Sequence, residues 1–334
     1  MHDHLRRLAG LLAGLATVAA LGCGRRRAAP APADAAEAPV VLRQTAPAPT
    51  APPTPPPAMP REVRAALLEA GAAPRSVRRY QHTSTAERTM VVTVRATTRS
   101  FHDGAWHGPT ELPPFRDGFG VAVGPGGDAD HPTLLLRGLP AAVDGGDGAA
   151  RAEAEAGLAR WRALLERRRL TVTIAATGRL ERTSFVDDPQ GTRPDALAAA
   201  DELAQRWLAF AVPLPSEPIG VGARWQVDSI LRQGGTYLSQ TARYRLTAVD
   251  GERLTVEVEL DRLGEPQPIG LAGVDARLLG LVRAVRGTVT LTTATPLPIA
   301  GALTVTHSSH ARFQLAGGPV DELTDDHATL TIGE

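Results

Sequence analysis

The chain of 334 residues contains a single cysteine, Cys23. One thiol excludes a disulfide within the chain, and once Cys23 is modified no thiol remains for a thiolate metal site or for cysteine catalysis. The stability of the folded part must therefore come from an apolar core.

Lysine is absent, so all 36 basic side chains are arginines, and they balance 36 acidic residues. Residues 1–61 contain seven arginines against three acidic residues, a net charge of +4, which leaves −4 on residues 62–334. A mildly acidic domain lacks the basic footprint that nucleic-acid-binding proteins usually show. We therefore expect no nucleic-acid partner.

An apolar run of membrane-spanning length is also missing. Residues 8–21 form an apolar stretch of 14 residues, whereas a helix that crosses a bilayer needs ~20. The stretch follows Arg6 and Arg7 and ends in small residues, which together are the parts of an export signal. The sequence predicts a signal peptide over residues 1–22.

The sequence Ala20-Leu21-Gly22-Cys23 resembles the lipobox of bacterial lipoprotein signal peptides, in which the cysteine is acylated and becomes the mature N terminus. The usual lipobox has leucine where Ala20 stands and a smaller residue where Leu21 stands. The resemblance implies lipidation of Cys23 and a membrane partner held through the acyl groups. Gly24 in place of aspartate implies an outer-membrane lipoprotein facing the periplasm or the cell surface. The alternative is an ordinary secretory signal with an incidental cysteine.

Residues 23–61 follow as the lipidated N terminus and a linker rich in proline and alanine. This composition has too little apolar bulk to fold, and its prolines favour an extended polyproline II conformation. We predict a single globular domain over residues 62–334, tethered by this linker.

Two segments of that domain have the periodicity of amphipathic helices. The first covers about residues 147–168, where Arg151 and Glu155 form an i,i+4 pair outside the apolar stripe. The second begins at Thr192 with a Thr-x-x-Asp capping box. A shorter helix is predicted over residues 62–70. The apolar stripes of the two long helices consist of Ala154, Leu158, Trp161 and Leu165, and of Leu197, Ala200, Ala204, Trp207 and Ala211.

The last third of the chain alternates apolar and polar residues, which indicates antiparallel strands with one buried face. Turns are predicted at Asp250-Gly251 and, in an earlier hairpin, at Thr177-Gly178. Residues 101–131 are rich in glycine, proline and aspartate and are predicted to be irregular. Strands are predicted at residues 80–98, 134–136, 171–176, 180–186, 223–232, 238–246, 254–260, 285–291, 303–315 and 328–332.

These elements predict an α+β fold, in which a long, curved, half-barrel-like antiparallel sheet is covered by the two amphipathic helices. Strands about ten residues long span ~33 Å, and a sheet of such strands coils and leaves a concave apolar side. The segment 213–225 reads PLPSEPIGVGARW. With the long hairpins after it, this segment resembles a family of uncharacterised bacterial envelope lipoproteins over residues 170–334. The layout also resembles the half-barrel of periplasmic lipoprotein carriers.

Residues for catalysis do not form a recognisable constellation. His307 and His310 lie three apart on a predicted strand and so point to opposite faces, which prevents them from sharing a metal. Ser184, Ser216 and Ser229 lack the nucleophile elbow of a serine hydrolase. We predict a protein that is not an enzyme and has no metal site and no cofactor.

The remaining functional signal is apolar surface. We predict that the concave side of the sheet binds a hydrophobic ligand or an envelope component, with Trp207, Trp225 and Tyr244 as lining residues. The apolar residues of the segment 271–285 fit neither the ~3.6-residue period of a helix nor the two-residue period of a strand. The segment is interpreted as one more core strand or as a mobile apolar flap. The alternative function is a structural or protein-interaction module of the envelope without a ligand cavity.

Overall fold

The computed structural model describes the chain from the first strand to the last, with interruptions. The described residues are 65–81, 87–102, 104–124, 128, 131–139, 141–146, 148, 151–152, 154–155, 169–186, 210–233, 235–269, 275–315 and 318–333. Cys23, Trp161, Trp207 and nearly all of the second predicted helix lie outside these residues.

Within the described residues, fifteen strands form one sheet, and every pair of neighbouring strands in it is antiparallel. The main path through the sheet is β1-β9-β10-β11-β13-β14-β15-β2-β4-β5-β7-β8, with β12 beside β13, β3 beside β2 and β6 beside β4. The strands are β1 Ala65–Glu69, β2 Arg88–His102, β3 Ala105–Glu111, β4 Phe115–Val123, β5 Thr133–Gly138, β6 Ala142–Val143, β7 Leu170–Ile174, β8 Leu180–Phe185, β9 Arg224–Gln233, β10 Thr236–Asp250, β11 Arg253–Gly264, β12 Gln267–Pro268, β13 Ala276–Thr292, β14 Thr295–Leu315 and β15 Gly318–Gly333.

The antiparallel strands predicted for the last third are confirmed as β9, β10, β11, β13, β14 and β15. Both predicted turns are also present, and each uses a glycine with positive φ: Gly251 at 58° between β10 and β11, and Gly178 at 83° between β7 and β8. Period-two alternation identified these strands because each has one buried and one wet face.

Two predictions in the first half of the domain are wrong. Residues 65–69, predicted as part of a short helix, form the edge strand β1, which pairs with β9. The stretch predicted to be irregular contains β3 and β4. In β4, Gly118 packs against the backbone of β2, where a Cβ atom would lie 2.5 Å from the carbonyl oxygen of Met90. A glycine that signals a loop in sequence terms here permits close contact between strands.

The predicted α+β class is also wrong, because the described residues form one open antiparallel sheet, and only residues 148, 151–152 and 154–155 among them are helical. Most of the first predicted helix lies outside the described residues, although Arg151 and Glu155 within it make the expected i,i+4 salt bridge at 2.9 Å. No helix in the described part is long and apolar enough to cross a membrane.

Within the described residues, the inward face of the sheet is closed partly by contacts between its two ends. Connecting segments at the β1/β9 end contact the β7–β8 turn at the other end: the amide of Tyr80 donates to the carbonyl of Ala176, and that of Leu214 donates to Thr177, both at 2.7 Å. The Tyr80 hydroxyl also donates to the carbonyl of Val212 at 2.8 Å. The two ends of the sheet are therefore held together, and their inward faces share one core.

That core, the main cluster, fills most of the inward face. It includes fully buried side chains from opposite ends of the sheet, such as Val172 and Ile174 of β7 and Trp225 of β9. A second, smaller group, the end cluster, lies toward the other end of the long strands. The end cluster consists of Leu238, Ile269, Ala276, Leu278, Leu281, Ala311 and Phe313.

Candidate functional site

Two of the predicted ligand-lining residues lie side by side in the main cluster. Trp225 of β9 and Tyr244 of β10 are cross-strand partners whose rings stack with centroids 5.5 Å apart. Trp225 is fully buried, and its indole N–H donates to the carbonyl of Pro213 at 2.7 Å. A contact between these two residues and a ligand stays a prediction, as do the roles of Trp207 and Cys23, which lie outside the described residues.

Between the main cluster and the end cluster, a row of polar side chains crosses the inward face. We call this row the polar belt. Each member is the direct cross-strand partner of the next, so all of them point to the same face of the sheet. The polar belt consists of Ser229, Gln240, Arg262, Arg283, His307, Asp326 and Thr98, on β9, β10, β11, β13, β14, β15 and β2.

The alternation of the strands shows how the belt divides the two clusters. On β14, Leu303 and Val305 belong to the main cluster, His307 follows at the next inward position, and Ala311 and Phe313 belong to the end cluster. The polar belt is therefore a break in an otherwise apolar face, at the same register on seven neighbouring strands.

The first part of the belt is hydrogen-bonded. Arg262 Nε donates to Oε1 of Gln240 at 2.6 Å, and Nε2 of Gln240 donates to the Ser229 hydroxyl at 3.4 Å. These bonds fix the Arg262 guanidinium on the inward face, where the residue is only 5% exposed.

The second part of the belt has unused hydrogen-bonding capacity. Nε of Arg283, Nδ1 of His307 and both carboxylate oxygens of Asp326 are buried without a hydrogen-bond partner of normal geometry in the described structure. The three residues are 3–7% exposed. Buried polar groups are normally hydrogen-bonded, because leaving one unpaired costs about 1–3 kcal/mol. This part of the belt therefore has donors and acceptors that the described side chains do not satisfy.

Burial also changes the protonation of the belt. Desolvation, with Arg283 nearby, lowers the pKa of Arg262 to about 9, and desolvation lowers the pKa of Arg283 to about 10, so both guanidinium groups stay cationic at neutral pH. Desolvation and the two arginines hold the pKa of His307 well below its usual value, which keeps its imidazole neutral. Desolvation raises the pKa of Asp326 to about 6. The Thr98 hydroxyl, whose contact with the carboxylate falls short of normal hydrogen-bond geometry, and the charge of Arg283 both act to lower it. At neutral pH the belt therefore holds two cations and one mostly ionised carboxylate.

The outward face has a pocket of a different kind, with a volume of about 560 Å³. Its charged side chains neutralise one another: Arg243 pairs with Asp261 at 3.2 Å, and Arg286 pairs with Asp261 at 2.6 Å and with Glu259 at 3.0 Å. All of these side chains are more than a third exposed to solvent. Exposed ion pairs of this kind are worth little and leave no unmet demand for a ligand.

Within the described residues, no group of three or more histidine, cysteine or acidic side chains is arranged to hold a metal ion. His307 points inward, whereas His310 lies on the outward face, 3.6 Å from Asp321. The two histidines are thus on opposite faces, as their spacing on the strand predicts.

The polar belt was missed by the sequence reasoning, although its signal is present there. Arg262 follows Leu260 at the inward phase of β11, and Asp326 precedes Ala328 at the inward phase of β15. Each is a charged residue where alternation calls for an apolar one. Their common register, however, depends on the pairing of β11, β13, β14 and β15, which includes register shifts between β13 and β14.

Comparison of the chain with known protein families finds no matching family, and comparison with curated proteins finds no match.

Proposed function

We propose that this protein is an outer-membrane-anchored envelope lipoprotein without catalytic activity that binds an amphiphilic ligand on the inward face of its sheet. The observation that carries the proposal is the polar belt between two apolar clusters on one face. An apolar surface with a few convergent polar groups is the usual make-up of a ligand site.

The membrane part of the proposal rests on the sequence. An export signal that ends at a lipobox-like cysteine, followed by a proline-rich linker, describes a domain tethered to a bilayer. A tethered domain has access to membrane amphiphiles at high local concentration. The predicted tether and the apolar inward face together favour a ligand that comes from the membrane itself.

A second candidate function is a protein-interaction module, favoured by an exposed aromatic group on the outward β2–β3 hairpin. Trp106 is 44% exposed, stacks edge-on against Phe101 with centroids 5.7 Å apart, and has the Arg99 guanidinium 4.6 Å from its ring. Tryptophan and arginine are enriched at the energetic centres of protein interfaces.

Photo-crosslinking in intact cells separates the two functions. A diazirine-bearing residue at Ser309, which is half-buried between the belt and the end cluster, samples the inward face. The same residue at Ser308, the exposed neighbour on β14, is the matched control for the outward face. We expect adducts of lipid mass at position 309 and none at position 308. Protein adducts through position 106, with no lipid adduct at position 309, would establish the interaction module instead.

A further inference from the structure

The two arginines of the polar belt form an unusual pair. Arg262 of β11 and Arg283 of β13 are direct cross-strand partners, a relation that brings Cβ atoms to about 5 Å from each other. Like charges directly opposite each other are destabilising even on an exposed sheet. Here both residues are at most 5% exposed.

Burial makes the shortage of negative charge more costly. A desolvated cation needs a counter-charge and hydrogen-bond acceptors, since its own hydration has been removed. Asp326 is the one acidic member of the belt; it lies beyond His307, two strands away from Arg283, and although it attracts Arg283, one carboxylate cannot balance two guanidinium groups. Among the described residues, Nε of Arg283 has no acceptor at all.

An arginine on the outward face of the same strands, in contrast, has both salt-bridge and hydrogen-bond partners. Arg286, three residues after Arg283 on β13, makes salt bridges to Glu259 and Asp261 and also donates to the carbonyl of Leu260 at 2.9 Å. On this strand, the partly exposed Arg286 is thus fully paired, whereas the buried Arg283 has an open donor at Nε.

We propose that Arg262 and Arg283 bind the acidic group, a carboxylate or a phosphate, of an amphiphile held on the inward face. This inference rests on the proposed function and names the chemistry of its ligand. Guanidinium groups present forked N–H donors that match the oxygens of both kinds of acid, and such charge-assisted bonds are among the strongest in proteins. The open donor of Arg283 and the neutral imidazole of His307 complete the set of groups around the acid.

The two clusters beside the belt account for the apolar part of the ligand. From His307, the inward positions of β14 lead to Ala311 and Phe313 of the end cluster, six residues and ~20 Å along the strand. An acidic group at the belt therefore directs an attached hydrocarbon chain among these apolar side chains, which are at most 6% exposed.

The test compares amphiphiles that differ only in charge, using the full mature chain purified without detergent and then delipidated. The probes are oleate, dioleoyl phosphatidylglycerol and uncharged monoolein, titrated at pH 8 with affinity read by calorimetry. Wild-type protein is expected to bind at least one acidic probe about tenfold or more tighter than monoolein. Preference for oleate identifies a carboxylate ligand, and preference for the phosphatidylglycerol identifies a phosphate ligand.

Substitutions of the two arginines test whether they cause the preference for acidic amphiphiles. Arg283→Met and Arg262→Met are expected to lose this preference and to keep the affinity for monoolein. Arg277→Met, on the same strand but exposed, is the matched control and keeps wild-type selectivity. Equal binding of acidic and neutral probes by wild-type protein overturns the inference and leaves the proposed function standing. Binding of none of the three overturns both, and neither result depends on a variant that folds.

Discussion

At the scale of single residues, Arg283 is where the energetics of the belt are least favourable. Its guanidinium is buried beside a second arginine, and its Nε lacks an acceptor. In the absence of ligand, an apolar side chain of similar length avoids the desolvation of this charge. Replacing a complete buried ion pair by apolar residues of similar volume is often neutral or stabilising by about 1–4 kcal/mol, whereas removing one partner alone leaves the other charge uncompensated.

We therefore expect Arg283→Met to stabilise the delipidated protein by about 1–3 kcal/mol in urea denaturation at pH 5, where Asp326, with its pKa of about 6, is mostly protonated and needs no counter-charge from Arg283. Arg277→Met, on the exposed side of β13, should change stability by less than about 0.5 kcal/mol. A loss of stability in Arg283→Met would mean that the guanidinium is already satisfied within the protein, and the belt would then be structural.

Asp326 makes the stability of the folded protein depend on pH. Burial raises its pKa to about 6, from an ordinary value of 3.8, while Arg283 and Thr98 act in the opposite direction and Asp325 adds to the rise. Because the folded-state pKa is the higher one, the stabilisation from protonated Asp326 is present below about pH 4. It is lost as the pH rises through about 6. A shift of this size corresponds to about 3 kcal/mol.

Asp326→Asn stays neutral at all these pH values. The variant should therefore become more stable relative to wild type between pH 4 and pH 7, by up to about 3 kcal/mol. Urea denaturation of both proteins at intervals across this range measures the difference. A difference that does not change with pH would show that Asp326 is not desolvated in the folded protein.

At the scale of elements, β13 contains two glycines in very different surroundings. Gly287 has a φ of 154°, and a Cβ atom there would overlap the carbonyl oxygen of Ala302 on β14. Gly280, on the same strand, has nothing within 4 Å of the corresponding position. A Cβ atom can therefore be accommodated at Gly280 but not at Gly287.

Gly287→Ala is expected to destabilise the protein by about 3 kcal/mol, since the backbone conformation and the packing both oppose a Cβ atom. Gly280→Ala should be neutral within about 0.5 kcal/mol. Thermal or urea unfolding compares the two directly. Similar unfolding midpoints for both variants would be incompatible with the close approach of β13 and β14 at Gly287.

How much of the fold follows from the sequence depends on the element. Alternation predicted the long strands from β9 onward, because each has one apolar face over many residues. It did not predict β4, where Gly118 fits against a neighbouring strand, or β1, whose five residues have too few neighbours for a period. The interruptions at Arg262 and Asp326 were visible in the sequence, but their meeting at one register depends on strand pairing across the whole sheet.

Residues 271–285 are another segment whose structure could not be predicted from alternation. The alternatives were a core strand or a mobile flap, and the described part from residue 276 onward is the start of β13. Leu278 and Leu281 are buried in the end cluster, whereas Val282 is 55% exposed. A register shift between Leu278 and Gly280 breaks the alternation, which is why neither period fits the segment.

At the scale of the whole molecule, the lipid tether is a separate prediction from the ligand site. Cys23→Ser removes the acylation site and should move the protein from the membrane fraction to the soluble fraction of lysed native cells. Intact mass of the wild-type protein should correspond to a chain that begins at an acylated Cys23. A wild-type N terminus elsewhere, or unchanged membrane association of the variant, would contradict the tether.

The central claim, that the inward face holds an acidic amphiphile, is tested most directly by purifying the protein from native cells without detergent. The bound material is then extracted into organic solvent and identified by mass spectrometry. We predict close to one acidic amphiphile per chain for wild-type protein and for Arg277→Met, and a marked loss in the Arg262→Met, Arg283→Met double variant. Wild-type protein that is correctly folded and carries no amphiphile would contradict the account.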